Sequence, residues 1–518
     1  MSAWSHLPSV AIGVLLCSVT YYLLVVARGR NNALLPPGPR KIPFLGNVHM
    51  LPAEGQERTF AEWGKRYGDV IYAKLFRRPT IVANSYNTAH ELMNNRSGNY
   101  SDRPPFILLE MMGWEKVLNL LPYGDEFRRQ RKWVQDAFQT KKSLQSYQPL
   151  QYRIVIELLN RLLDDPDSFA DHFTRYLASA IMEITYGHRV IDEDDMFVGI
   201  AERATTETAL IGSAGSMLVD FFPILKRFPS WMPGGRFKKQ VVHARECIRD
   251  MYDVPFKMVR EKMESGIAWS SFTSTLLEQC LVDGKLSQDD EDSIKGAAAN
   301  LYGGGTETTA TVLTIFVFLM ITHPHVYKRL QEEMDSVVGS ERLPDFEDRA
   351  HLPFLNATIK ETLRWHVPVP LGVPHSSIKD DIYRQYRIPA NSMIIGNIWA
   401  MSQDTDFFSS PESFLPERYL NDTDILNPKD FVFGFGRRRC PGLDFADANL
   451  FIVIANMVAT MNIRKAKDGD GQEVTPPYAF TSGFVSRPHP FRCHIAPRTV
   501  KAEKLIQQMR IATESIAA

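Results

Sequence analysis

Cys440 stands in the segment Phe433-Gly434-Phe435-Gly436-Arg437-Arg438-Arg439-Cys440-Pro441-Gly442, a single thiol among three glycines and three arginines. The glycines let a backbone turn tightly and approach a flat partner closely. The arginines give the sulfur an electrostatic reason to ionise, and the dipole of the apolar helix expected over Leu443 to Met461 adds to it. A thiolate is a nucleophile or a metal ligand. The other cysteines, Cys17, Cys247, Cys280 and Cys493, are scattered, and none of the five forms a CxxC pair. Neither a disulfide framework nor a zinc site is expected from them.

Three further segments carry chemistry-bearing residues. Gly303-Gly304-Gly305-Thr306-Glu307-Thr308-Thr309 interrupts a helical stretch. A glycine inside a helix costs roughly 1 kcal/mol against alanine, so three in a row need a reason, and a local opening that admits a small ligand is one. Glu361-Thr362-Leu363-Arg364 puts an acid and a base on one helical face, where they can pair. Tyr123-Gly124-Asp125-Glu126-Phe127-Arg128-Arg129-Gln130-Arg131 mixes aromatic and basic residues. His375 follows Gly372-Val373-Pro374 in a loop-like stretch.

In this order the segments resemble the cytochrome P-450 family. Its cysteine signature F-x-x-G-x-R-x-C-x-G is filled by Phe433, Gly436, Arg438, Cys440 and Gly442. Its pattern [AG]-G-x-[DE]-T-[TS] is filled by Gly304, Gly305, Glu307, Thr308 and Thr309. Its E-x-x-R pair is Glu361 and Arg364, and its P-E-R-[FY] segment is Pro416-Glu417-Arg418-Tyr419. The resemblance covers nearly the whole chain from the prolines at Pro36 onward. It implies a heme b cofactor whose iron takes Cys440 as axial thiolate, a ligand that favours O–O cleavage. Phe433, Gly436, Gly442, Gly304 and Gly305 then lie against the cofactor. Arg438, Arg131 and His375 face its propionates. Thr308 serves bound oxygen and Glu307 relays protons toward it, while Glu361, Arg364 and Arg418 form a buried structural triad. One departure is visible: Phe127 stands where the family's W-x-x-x-R helix has tryptophan, and it brings no indole N–H.

These residues must be positioned by a body that reads as mainly α with minor β, one large haem domain over residues 51–500. Strand patterns occupy Val70 to Leu75 and Thr80 to Ala83, with a turn at Arg77-Arg78-Pro79, and return near Ser392 to Ile398 and at the C-terminus. The longest helix is expected from Gln288 to about Ile321, with others over His325 to Val338 and Pro353 to Trp365. Residues 501–518 read as a C-terminal tail of helix-forming composition. Ahead of the body, residues 1–27 read as a signal-anchor helix. From Leu7 to Ala27 run 21 residues without a formal charge, and at ~1.5 Å per residue such a helix reaches ~30 Å, about one hydrocarbon core. Arg28 and Arg30 follow, which places the body on the cytosolic side of the endoplasmic reticulum membrane in a single-pass arrangement. A cleaved signal peptide is the competing reading, but the stretch before Leu7 has no basic n-region. The proline-rich linker is set at residues 28–50, stiffened by Leu35-Pro36-Pro37-Gly38-Pro39.

A net charge of −1 with no basic tract argues against nucleic-acid binding. No nucleotide-binding glycine fingerprint is present, so electrons must come from another protein. The resemblance implies NADPH–cytochrome P-450 reductase, with a cytochrome b-type donor as helper, docking on a basic face at Arg128, Arg129, Lys132, Arg437 and Arg439. Pocket walls are expected from Pro104 to Leu121, Val369 to Val373 and Phe480 to Val485. Their apolar character suits a terpenoid, a polycyclic aromatic or a similar secondary metabolite or xenobiotic, as in fungal members of the O-methylsterigmatocystin oxidoreductase type. The expected reaction is insertion of one oxygen atom from O2. Two alternatives stay open: a haem-thiolate isomerase or dehydratase, and a non-enzymatic haem sensor or carrier.

Overall fold

Strands β1 (Val70–Leu75) and β2 (Arg78–Ala83) form an antiparallel hairpin in which Val70 pairs with Ala83 and Leu75 with Arg78. The turn is tighter than expected and lies at Phe76-Arg77, with Phe76 at φ 53°. Pro79 is tolerated in β2 because the parallel pairing with a later strand begins only at Thr80. That partner strand and two short hairpins belong to the second half of the chain. The computed structural model describes residues 34–517, apart from 192–193, 213–217, 232–234, 236 and 422–423. The expected signal anchor falls outside the described residues.

Helices make up most of the rest: α1 (Ile107–Met112), α2 (Asp125–Phe138), α3 (Lys141–Asp164), α4 (Phe169–Tyr186), α5 (Met196–Ile211), α6 (Phe237–Glu264), α7 (Gln288–Gly305), α8 (Glu307–Thr322), α9 (Pro324–Val337), α10 (Pro353–Trp365), α11 (Leu443–Thr460) and α12 (Val500–Ala517). Four strands, β1, β2, β3 (His375–Ser376) and β6 (Met393–Gly396), form one sheet in the order β1-β2-β6-β3. A hairpin of β4 (Asp381–Tyr383) and β5 (Tyr386–Ile388) stands beside it. A third sheet has β7 (Met461–Lys467) between β8 (Glu473–Val474) and β9 (Cys493–Pro497). The fold is mainly helical with some sheet.

The main core is built around α8 and α11, whose side chains are buried nearly all round, as at Phe316, Leu319, Phe451 and Ile454. The combined stretch Gln288–Thr322, and α11, are long and apolar enough to cross a bilayer, yet 72% and 67% of their apolar windows are buried inside the body. They are core helices. A helix that is apolar on every face has nowhere else to go in water.

The expected single helix from Gln288 is instead two. It breaks at Thr306 (φ −85°, ψ −66°), directly after the three glycines, and α8 starts at Glu307. At the other end of the chain the expected tail is α12, which packs on α3 and α11 with Ile506 fully buried. Within the expected linker, residues from Pro37 onward are tied to the sheet. The Tyr72 N–H donates to the Pro37 carbonyl at 2.9 Å, and buried Asn47 donates to Pro39 and accepts from the Lys74 N–H.

Candidate active site

The cysteine loop is shaped by its glycines. Gly434 and Gly436 have φ of +77° and +56°, and a Cβ on Gly436 would stand 1.9 Å from the Met93 carbonyl oxygen. Only glycine fits there. The Cys440 N–H closes the loop on the Phe433 carbonyl at 2.8 Å, and Gly442 caps α11. Burial pushes the Cys440 thiol up, while the Gly442 N–H and the charges of Arg131 and Arg439 pull it down. Of these influences burial is the largest. Arg437 turns to the Tyr123 hydroxyl, and Arg438 donates to the carbonyls of Ser101, Leu118 and Leu121. An iron bound at this position would deprotonate the thiol outright.

Those three carbonyls and the ring of Phe127, 3.8 Å from the guanidinium, surround Arg438. Phenylalanine keeps the flat face that stacks on a cation while dropping the N–H. Beside it lies Arg103, which the sequence reading missed. Arg103 is buried and donates to the carbonyls of Asn119 (2.8 Å), Val373 (2.7 Å) and Pro374 (2.8 Å). Burial, with Arg438 adding repulsion, holds its guanidinium well below the usual arginine range. His375 is buried in β3, where its Nδ1 donates to the Tyr100 carbonyl at 2.7 Å, so Nε2 is the nitrogen left for another partner. Burial and both arginines push the imidazole well below its ordinary value. Arg131 donates to the Arg439 carbonyl on the cysteine loop, and burial lowers it too. The cluster therefore concentrates cations around one nearby carboxylate, Asp102. Buried charges persist when paired, and the two carboxylates of a haem fit this donor set.

At the helix break, a Cβ on Gly303 or Gly304 would meet no atom within 4 Å, leaving the backbone approachable by a flat group. A Cβ on Gly305 would meet Ile181 Cδ1 at 3.0 Å. Gly305 thus packs closely against α4. The Thr308 hydroxyl donates to the Gly304 carbonyl at 2.9 Å, and Glu307 is half-exposed.

Glu361 and Arg364 are completely buried and Arg418 nearly so. Arg364 donates to Glu361 with Nε at 2.8 Å and Nη2 at 2.7 Å, a bidentate pair, and Arg418 Nε reaches the same carboxylate at 3.1 Å. Further guanidinium hydrogens go to carbonyls of Ser402, Pro411 and Ser413 from Arg364, and of Ser409, Ser410 and Ser413 from Arg418. The Leu415 N–H completes the acceptors on Glu361. A buried ionic network is tolerable only with such full satisfaction.

The expected pocket walls and basic face have contacts of their own. Phe480 stacks on His366 and sits among Phe318, Trp365 and Tyr478. The stretch from Pro104 to Leu121 is largely core: Leu108, Met112, Trp114, Val117, Leu118 and Leu121 are buried. It docks on α7 at Gly296, where a Cβ would come within 2.1 Å of the Lys116 carbonyl oxygen. Of the expected basic face, Arg128 is paired with Asp125, Arg129 with Asp290 and Arg439 with Asp430. Lys132 and Arg437 remain exposed.

A cysteine cradled by a glycine loop, a cluster of buried cations for two carboxylates and a helix opened beside an acid–threonine pair define a haem-thiolate protein. The comparisons agree. The profile of the family described as Cytochrome P450 matches residues 36–494. The chain is 42% identical over 495 residues to cytochrome P450 monooxygenase 176 of Postia placenta, covering 95% of each chain. It is 38% identical to cytochrome P450 monooxygenase claR of Ampulloclitocybe clavipes over 96% of this chain and 92% of that one. A third relative, cytochrome P450 monooxygenase ppsD of Aspergillus oryzae, is 36% identical over 96% of each. The chain belongs to the cytochrome P450 family, whose members are haem-thiolate enzymes carrying heme b, and it is a monooxygenase of the fungal kind.

Proposed function

We propose that the chain is a membrane-anchored monooxygenase that places one oxygen atom from O2 into an apolar small molecule, a terpenoid, polycyclic aromatic or similar secondary metabolite or xenobiotic. The carrying observation is the break between α7 and α8, which leaves Gly303 and Gly304 approachable and Thr308 and Glu307 at the start of the new helix. Haem, when bound, supplies thiolate-assisted O–O cleavage. The protein's own residues do the rest. Cys440 holds the iron; Arg438, Arg103, Arg131 and His375 hold the two carboxylates. The Thr308 hydroxyl, now donating to Gly304, has lone pairs to accept a proton and a hydrogen to pass on. Half-exposed Glu307 exchanges protons with water and feeds that hydroxyl. Glu361, Arg364 and Arg418 brace the segment that leads to the cysteine loop.

Electrons come from NADPH–cytochrome P-450 reductase, with a cytochrome b-type donor as helper, at a face that includes the exposed Lys132 and Arg437. Residues 1–27 anchor the chain in the endoplasmic reticulum membrane with the body in the cytosol. An isomerase or a haem carrier has no use for an acid–threonine pair, so both rank lower.

The reduced protein under carbon monoxide is expected to give the thiolate-type Soret band, and Cys440→Ala to abolish it; a band that survives the substitution removes Cys440 as ligand. Thr308→Ala deletes a hydroxyl where the neighbouring glycines leave room, so haem content should persist. Proton delivery by a placed side chain is worth ~10²–10⁴-fold, so with reductase present the variant should make far less product per NADPH and release more peroxide. Unchanged product per NADPH would take Thr308 out of the reaction.

A further inference from the structure

Glu307 has a partner that its own helix does not provide. Arg487 Nη1 lies 3.6 Å from Glu307 Oε1, with the two side chains 60% and 49% exposed. Arg487 sits at the base of a hairpin. The Thr481 N–H donates to the Arg487 carbonyl at 2.8 Å, and the Arg487 N–H to the Thr481 hydroxyl at 3.1 Å. The base is fastened from below: the Ser486 N–H donates to the Pro368 carbonyl at 2.8 Å, and the Ser486 hydroxyl donates to the Thr481 carbonyl at 2.9 Å. With its hydrogen used there, Ser486 accepts from His366 Nε2 at 3.0 Å. The tip, Ser482-Gly483-Phe484, is exposed. The base is therefore fastened by hydrogen bonds, the tip is held by the Gly55 N–H donating to the Ser482 hydroxyl at 3.2 Å, and one long side chain ties this element to the first turn of α8.

We propose that Arg487 is the positioning residue for Glu307, so that proton supply at the helix break depends on the hairpin over Thr481 to Arg487. The proposal rests on the assignment of Glu307 to proton relay. The guanidinium holds the carboxylate on the exposed side of the first turn of α8, within reach of water for proton exchange. A fully buried pair would lock the acid; a half-exposed one orients it and lets it go. The hairpin's tip was expected at the pocket wall, so a molecule seated against residues 482–485 would shift Arg487 and with it the acid.

The experiment uses the full-length holoenzyme with reductase and compares wild type, Arg487→Ala, Arg487→Lys and Thr308→Ala. Haem content is read first from the carbon monoxide band, which should be unchanged at position 487. Arg487→Ala should then lower product per NADPH by about two- to fivefold, the range an exposed ion pair supports, with peroxide rising to match, and Arg487→Lys should recover most of the loss. Hydrogen exchange gives a readout independent of turnover: Glu307→Gln, made in the same protein, should speed exchange at the amides of residues 481–487. Unchanged coupling in Arg487→Ala, or hairpin exchange indifferent to Glu307→Gln, overturns the proposal even if position 487 proves needed for folding. If Thr308→Ala is also fully coupled, the oxygen-activation reading itself falls; if Thr308→Ala uncouples while Arg487→Ala does not, only the role of Arg487 falls.

Discussion

His366 is buried at the end of α10, stacked on Phe480 with 3.7 Å between ring centroids, and its Nε2 donates to Ser486. Its Nδ1 has no hydrogen-bond partner among the described residues. Burial pushes its pKa from 6.5 down to about 3. Between those values the unfolded chain binds a proton that the native protein refuses. Stability attributable to this group is therefore complete above about 6.5 and is lost as pH falls toward 3. The denaturation midpoint of wild type should drop across that window, and His366→Gln should flatten the slope. A variant that keeps the wild-type slope would assign it to other groups. At the same scale, the side chains of Arg437 and Arg438 spend their hydrogens elsewhere, while the charges of Arg131 and Arg439 act on the Cys440 sulfur.

Helix α10 owes its place to one face, where Glu361 and Arg364 meet Arg418 from the segment before the cysteine loop. The network fixes how that segment returns to the helices. Glu361→Ala would leave two guanidinium groups buried without their carboxylate, a loss of roughly 3–5 kcal/mol. Urea denaturation should register it, together with lower haem retention after purification. Glu361→Asp, which keeps the charge but shortens the reach, should fall between the two. If Glu361→Ala unfolds at the wild-type midpoint, the network is not a source of stability. The break between α7 and α8 works by the opposite means. Three glycines lower helix propensity where the chain must open, while Thr306 keeps the register with bonds from its N–H to Tyr302 at 3.3 Å and from Ala310 to its carbonyl at 3.2 Å.

For the whole molecule, the proposed anchor at residues 1–27 predicts a body on the cytosolic side. Four Asn-x-Ser/Thr sequons, at Asn95, Asn99, Asn356 and Asn421, lie in the body. Asn99 is buried with its amide bonded to the Lys379 backbone, and the Asn356 amide donates to the Arg349 and Leu352 carbonyls. Neither is accessible to a glycosyl transferase in the folded state on either side. Exposed Asn95 is the informative position. With the body in the cytosol it should stay unmodified in eukaryotic cells. An endoglycosidase-sensitive mass shift at Asn95 would reverse the proposed orientation.

What could be read from the sequence was local. The spacing of Phe433, Gly436, Arg438, Cys440 and Gly442 reports a loop whose backbone only glycine permits, and the i, i+3 spacing of Glu361 and Arg364 reports one helical face. Helix limits at Pro353 and Trp365, and strands at Val70–Leu75, follow from periodicity for the same reason: neighbours in the chain are neighbours in space. The tertiary structure alone decided everything that joins distant segments. Arg103 carries no motif of its own, and only the fold brings it to the carbonyls of Val373 and Pro374 beside His375. Phe127 reads as a lost hydrogen bond until Arg438 is found stacked on it. The packing of Gly305 against Ile181 is named by no local pattern. The tie from Glu307 to Arg487, the docking of residues from Pro37 on β1 and the seat of α12 on α3 are likewise invisible in one dimension. A short pattern records the torsions and faces of its own segment, whereas the partner across a core is chosen by how the segments pack.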